Sequence, residues 1–326
     1  MRTITNEFIV LMLASIGMMA SAPSWGQSYP VKPIRIIAGA PPGGGGDVIL
    51  RPIAQKISET LGQQVIVDNR PGAGSTLAAQ LVAGSPPDGY TVFQASASGF
   101  SISPYLLKRR PYDPVQDFSP ITLIATAPLM ITVHPSLPAK SLKDLVAIAR
   151  AKPGQLLYAS NGKGSFSHFT TEMFARSAGI AMVHVPYKGG TAAVLSAMSG
   201  EAQLVITAIP TLVSQVKAGR LRALAVTSSK RSFVVPETPT VAESGVPGFE
   251  AVQWYGMFAP RQTPALITDR LYSELRKAAE SPGVRGALMQ EGAEPALAGP
   301  QALAEFLRMD IAKWQKVIRE SNIVLE

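Results

Sequence analysis

The residues of this chain that are placed to do chemistry are mostly glycines and hydroxyls. Ala40-Pro-Pro-Gly-Gly-Gly-Gly-Asp47 lies between a β-branched run and an amphipathic stretch, the pattern of a strand-to-helix turn. Glycines at Gly43, Gly44, Gly45 and Gly46 let backbone N–H groups approach a ligand with no side chain in the way. A helix N-terminus adds free donors and partial positive charge. Together they suit a carboxylate as well as a phosphate. The segment is also compatible with a plain tight turn in which Asp47 is the helix N-cap. It is not a phosphate-binding P-loop, because no Lys-Ser/Thr follows. Nor is it a dinucleotide fingerprint: the spacing differs and Asp47 would repel a pyrophosphate.

Three further segments follow strand ends. Ala159-Ser-Asn-Gly-Lys-Gly-Ser-Phe-Ser-His168 opens a helix and offers Ser160, Asn161, Ser165 and Ser167, with backbone donors exposed at Gly162 and Gly164. Gln94-Ala-Ser-Ala-Ser-Gly99 brings Ser96 and Ser98, either as donors or as an ordinary polar loop. Val185-Pro-Tyr-Lys-Gly-Gly190 contributes Tyr187 and Gly189, and makes Lys188 the basic residue expected nearest a pocket. Two such loops facing one another would clamp one small anion, and open α/β sheets hold ligands at strand C-termini. Catalytic patterns are thin. His134, His168 and His184 lack metal-ligand spacing. A Gly-x-Ser-x-Gly nucleophile motif is absent. Ser165 and His168 are close in sequence, but a triad is defined by geometry. His168 reads as a hydrogen bonder at a helix start, and His184 as a satisfied strand histidine. Trp254 and Tyr255 are either core aromatics or a pocket wall.

The elements that must position these loops alternate strand and helix. Strands are expected at Ile34–Ala38, Val65–Val67, Thr91–Ala95, Ile121–Ala125 and Met130–Val133, the last two separated by Thr126–Leu129. Helices fill Asp47–Leu61, stopped by Gly62, and Thr76–Val82. Ser141-Leu-Lys-Asp144 is a capping box for a helix to Ala151. A second alternation follows: strands at Leu156–Ala159, Met182–Val185, Gln203–Thr207 and Leu221–Thr227, with helices at Phe166–Ala178, Thr191–Ser199 and Thr211–Ala218. After the strand Val252–Ala259 the tail is helical, at Pro264–Ala279 with Thr263 as N-cap and at Pro300–Glu320. This order argues for an α/β fold with mainly parallel sheets. It leaves room for two α/β halves joined by two crossings, near Ala125–Leu129 and near Glu250–Val252, which would make the first domain discontinuous.

Composition narrows the function. The 326 residues carry a net charge of +8, 46% hydrophobic residues and no cysteine. Disulfides, thiolate metal sites, a cysteine nucleophile and a lipoprotein anchor are therefore excluded. Charged residues are 16%, below the roughly 25% of an average soluble protein. The basic excess lies between Ser101 and Gly190, scattered apart from Lys108-Arg-Arg110. It forms no stripe or module of the nucleic-acid-binding kind, and at most favours small anions. At the N-terminus, Arg2, an apolar run from Phe8 to Met19 and small residues up to Gly26 read as a signal peptide over residues 1–26. The run falls short of the roughly 20 residues a membrane span requires. The mature chain is expected to be an exported, unanchored monomer of the periplasm.

The segments also carry a resemblance. Tyr29-Pro-Val-Lys-Pro-Ile-Arg35, Pro42-Gly-Gly-Gly-Gly-Asp47, Val67-Asp-Asn-Arg-Pro-Gly-Ala-Gly74, Pro87-Asp-Gly-Tyr-Thr91 and Tyr112-Asp-Pro-Val-Gln-Asp-Phe118 occur in this order. His184-Val-Pro-Tyr-Lys-Gly-Gly190, Gly219-Arg-Leu-Arg-Ala-Leu-Ala-Val226, Pro239-Thr-Val-Ala-Glu243 and Pro247-Gly-Phe-Glu250 follow. In this succession they resemble the substrate-binding proteins of tripartite tricarboxylate transporters, the Bug family. The resemblance implies a two-domain periplasmic binding protein of the Venus-flytrap type. Its domains would be 27–126 with 251–326, and 127–250. It implies no cofactor, metal or catalysis, a small carboxylate ligand, and membrane transporter subunits as partners. It implies cleft loops at Gly43–Asp47, Ser96–Ser98, Ser160–Ser167 and Tyr187–Gly190, with Thr207 nearby. Two departures, the weakly polar Thr207-Ala-Ile-Pro210 and the Gln94-Ala-Ser-Ala-Ser98 run, favour a less polar or aromatic acid. A sensor partner of a receptor kinase and a secreted α/β hydrolase using Ser165 or Ser96 remain as rival readings.

Overall fold

A computed structural model describes residues 29–321. The expected signal peptide at 1–26 lies outside the described residues. From Lys32 onward the chain opens with β1 (Ile34–Ala38), α1 (Gly45–Leu61), β2 (Val65–Asn69), α2 (Thr76–Ala83) and β3 (Thr91–Ser96). β1 pairs in parallel with both β2 and β3, as β-strands joined by crossover helices do. α1 ends where Gly62 takes a left-handed φ of 62°, a conformation glycine adopts without a Cβ penalty.

The chain then enters β4 (Phe118–Val133), followed by α3 (Leu142–Ala151), β5 (Leu157–Ser160), α4 (Phe166–Ala178) and β6 (Val183–Pro186). Next come α5 (Gly190–Ser199), β7 (Leu204–Ala208), α6 (Ile209–Lys217) and β8 (Arg222–Val226). It closes with β9 (Val252–Pro260), α7 (Ala265–Glu280), α8 (Pro282–Gln290), β10 (Glu294–Pro295) and α9 (Pro300–Ser321). α3 starts on the expected capping box: the Ser141 hydroxyl accepts from Asp144 N, and the Asp144 carboxylate accepts from Ser141 N.

Among the described residues the strand order is β2-β1-β3-β9-β4-β7-β5-β6, with β8 and β10 also on β4. β4 is the spine. Its first part pairs antiparallel with β9, and its last residues, Leu129–Val133, pair with β7. β8 pairs with Met130–Val133 of the same strand. This corrects the expectation of two strands broken at Thr126–Leu129. Pro128 lies within the continuous strand, since proline tolerates an extended backbone where its missing N–H is not needed. Thr227 carries the pairing past it: its hydroxyl accepts from Leu129 N at 2.8 Å and its N–H donates to Leu129 O at 2.9 Å. A second correction concerns α7, whose N-cap is Pro264. The Thr263 hydroxyl points back and donates to Pro260 O at 2.7 Å. α8 lies between the two helices expected in the tail, in a stretch for which no element was expected.

The sheet's first half packs on an aromatic cluster of Phe93, Phe100, Phe118, Trp254 and Phe258, with Phe100 centroids 4.8 Å from both Phe118 and Phe258. Full burial of such a side chain contributes about 1.5–3 kcal/mol. α9 crosses from this half to the other. Its buried Asp310 accepts from Trp254 Nε1 at 2.6 Å and from Trp314 Nε1 at 3.1 Å. Trp314 in turn packs edge-on against Phe166, the first residue of α4, at 5.2 Å. β9 is thereby tied directly, and the start of α4 through Trp314, to one buried carboxylate.

Candidate functional site

The loops that follow β1, β3 and β5 border a cleft of about 540 Å³. One wall is the start of α1. Gly44 N donates to Pro41 O at 2.9 Å, and Gly44 is the N-cap with no side-chain cap. The first-turn N–H groups of Gly45, Gly46 and Asp47 therefore have no intrahelical acceptor. Asp47 is not the N-cap, which corrects that expectation. It sits inside the first turn, 1% exposed, and turns away from the cleft. Its carboxylate accepts from Gly43 N at 2.8 Å, Arg51 Nε at 2.7 Å and Asn69 Nδ2 at 2.9 Å. Burial works to raise the Asp47 carboxyl, but these hydrogen bonds and the Arg51 charge outweigh it and hold it below its ordinary value. The acid thus fixes the glycine loop from behind.

Close approach explains the glycines. A Cβ on Gly45 would lie 3.0 Å from Tyr255 Oη, and one on Gly46 would lie 3.1 Å from Gln94 Oε1. Gln94 is itself pinned, donating from Nε2 to Gly46 O at 2.8 Å. Tyr255 lines the cleft while its neighbour Trp254 is core, so the two aromatics divide the alternatives between them. Burial pushes the Tyr255 phenol up to about 12, so it stays a neutral donor. Ser96 and Ser98 line the cleft as expected, joined by Ser75 and Ser103.

The opposite wall is the start of α4. Lys163, Gly164 and Ser165 line the cleft. Gly162 and Gly164 take φ of 125° and 81°, a region that disfavours any side chain, so this turn requires both. Ser165 is the N-cap, its hydroxyl accepting from His168 N at 3.2 Å. Gly164 N donates to His168 Nδ1 at 3.2 Å, which only an uncharged ring accepts. Behind the loop the His168 and His184 rings stack at 3.7 Å. Burial, followed by the His184 and Lys163 charges, pushes His168 down to about 3. Burial and Lys163 push His184 down to about 4. Ser160 is fully buried, with its Oγ 2.6 Å from His184 Nε2, so this serine–histidine pair faces the interior.

The remaining expected residues support the loop and do not border the cleft. Asn161 Oδ1 accepts from Thr207 Oγ1 at 3.1 Å, and Asn161 O accepts from Gly189 N at 3.3 Å. Tyr187 N donates to Ser160 O at 3.1 Å, while its hydroxyl accepts from Ser196 Oγ at 2.6 Å. Gly43 likewise lies outside the lining. Lys188, expected nearest the pocket, is exposed and does not border it; Lys163 takes that place. Sequence reasoning also missed Pro71, Gly72, Gly74 and Ser75. Their signal was present in the Arg70-Pro-Gly-Ala-Gly74 run, but nothing local brought it to the same cleft. Among the described residues no group of three or more His, Asp or Glu side chains is arranged to hold a metal. None of their helices is long and apolar enough to cross a membrane.

The lining contains no Asp or Glu, and Lys163 is its single charged residue. The chain that builds this cleft is similar to known proteins. Residues 49–323 match the family described as tripartite tricarboxylate transporter family receptor. The chain belongs to this family. Protein BugT of Bordetella pertussis is 35% identical over 319 residues, 98% of this chain and 97% of its own. The solved structure of R. palustris Rpa4515 with adipate is 34% identical with a TM-score of 0.81, covering 91% of this chain and 99% of that one. MatC (Rpa3494) from Rhodopseudomonas palustris with bound malate is 30% identical with a TM-score of 0.77, covering 89% and 100%. The receptor therefore has the two-lobed α/β fold of periplasmic binding proteins, and its function is solute capture for transport.

Proposed function

We propose that this receptor captures a small carboxylate in the cleft between the starts of α1 and α4. The carrying observation is the lining: an uncapped helix start, serine and tyrosine hydroxyls and one lysine, with no acidic side chain. Such a surface stabilises negative charge and repels nothing anionic. The receptor acts by binding and release, without turnover. Ser165 Oγ meets the backbone of His168, not its ring, and Ser160 is buried away from solvent.

The lobes 27–126 with 251–326, and 127–250, close on the ligand about the two chain crossings, at β4 and at the start of β9. The carboxylate would accept from the first-turn N–H groups of Gly45 and Gly46, with Ser96, Ser98 and Ser165 around it. The segment 1–26 exports the chain to the periplasm, where the loaded receptor docks on the membrane subunits of a tripartite transporter. Adipate in one relative and malate in another support a carboxylate cargo. The test is mass spectrometry of ligand released from natively purified protein, followed by a thermal-shift screen of carboxylates. A true ligand raises Tm with concentration as RT ln(1 + [L]/Kd) predicts. A screen in which sugars or amines stabilise and carboxylates do not would refute the proposal.

A further inference from the structure

Ser75 keeps a side chain where the backbone favours none. It ends the turn that follows β2 and is the N-cap of α2, with φ 76° and ψ 4°. Gly72 and Gly74 in the same turn take φ of 136° and 64° as glycines. The left-handed region brings a Cβ against the following carbonyl oxygen, so a serine is held there against its own preference. The side chain is half-buried and borders the cleft. Its N–H is already used, donating to Gly72 O at 2.9 Å. Its hydroxyl neither caps α2 nor makes a hydrogen bond to any described residue.

Two neighbouring turns make room for this side chain. A Cβ on Gly39, just after β1, would collide with Ser75 Cβ and Oγ. One on Gly99, after β3, would lie 3.0 Å from Ser75 Cβ. Neither Gly39 nor Gly99 takes a positive φ, so it is space and not backbone conformation that calls for glycine at both. Three loops thus converge on one hydroxyl that borders the cleft and has no partner among the described residues. We infer that Ser75 is a ligand-binding residue, its Oγ donating a hydrogen bond to an oxygen of the captured acid. This rests on the reading of the cleft as the capture site. The left-handed backbone is then strain held at a functional position and supported by the packing around it.

The test titrates succinate, adipate, malate and benzoate calorimetrically into the mature protein, Ser75→Ala and Ser75→Gly, with Tm of each unliganded variant measured alongside. The acid that binds most tightly should lose tenfold or more in affinity in both variants, as expected for a hydrogen bond to a charged group. Tm of Ser75→Gly should equal or exceed that of the unaltered protein, because glycine adopts this φ freely. Gly99→Ala approaches the same contact from the other side. Alone it should lower both Tm and affinity, and combining it with Ser75→Gly should restore Tm but not affinity. Unchanged affinity in Ser75→Ala and Ser75→Gly would overturn the inference and leave the cleft reading standing. So would a fall in Tm in Ser75→Gly, which would make the serine a structural residue. Binding of none of the four acids by the unaltered protein would overturn both.

Discussion

Replacing Gly45 by alanine separates a binding glycine from a structural one. The residue is exposed in the first turn of α1, and a Cβ there would sit 3.0 Å from Tyr255 Oη. The atom it meets is the far end of the Tyr255 side chain, which lines the cleft and can yield by a few tenths of an ångström. The added methyl therefore stands where an anion would reach the first-turn N–H groups. Loss of one hydrogen bond to a charged group costs about 1.5–3 kcal/mol, which is roughly ten- to 150-fold in Kd. Folding moves the other way: alanine is favoured over glycine in a helix by about 0.5–1 kcal/mol, and Gly45 needs no left-handed φ. The expected outcome is a Tm equal to or above that of the unaltered protein, with affinity for the cognate acid reduced at least tenfold by calorimetry. Unchanged affinity with a raised Tm would refute the reasoning and reduce the glycine loop to a tight turn. Gly46→Ala is the internal contrast, because its Cβ meets the pinned Gln94 and Ala40 in buried surroundings and should lower Tm as well as affinity.

Asp47→Asn should cost about 1–3 kcal/mol in urea denaturation, since the amide cannot accept from Gly43, Arg51 and Asn69 together. Because Asp47 is held below its ordinary value in the fold, its contribution is full above about pH 4 and is lost as pH falls through the lower folded value. His168 works on a different window. Its folded value of about 3 lies below the unfolded one, so stability falls as pH drops from about 6.5 to about 3, by up to about 1.4 kcal/mol per pH unit. A His168→Gln variant should show a flatter acid limb in the same denaturation series; an unchanged slope would remove His168 from the account. Asp310→Asn turns an amide N–H₂ towards one of the two indoles and should destabilise by about 1–3 kcal/mol. Indole emission from Trp254 and Trp314 should shift at the same time, and an unaltered spectrum with full stability would contradict the clasp.

Much of the fold was legible because its signals are local. The run Ile34–Ala38, the helix Phe166–Ala178 and the capping box at Ser141 appear at or within a residue of their expected bounds. The failures are places where a distant partner overrode a local signal. Thr126–Leu129 reads as a separation between two strands, yet Thr227 supplies hydrogen bonds to Leu129 that carry β4 through it. Asp47 reads either as a residue of the ligand loop or as the N-cap of a plain turn, yet Arg51 and Asn69 draw its carboxylate inward.

The sequence by itself determined that two glycine-rich turns follow strands and precede helices. Backbone conformation and helix polarity are properties of neighbouring residues, so an anion-favouring site is written into those short stretches. Only the tertiary structure decided what shares the cleft. Tyr255 and Gln253 reach it because β9 inserts antiparallel between β3 and β4, an order no local pattern encodes. The same packing brings Lys163 to the lining and leaves Lys188 outside it, because which of two nearby lysines meets the opposite lobe depends on loop geometry and sheet order, not on residue type. The sequence thus outlined turns that favour an anion, and the fold decided which residues line the cleft.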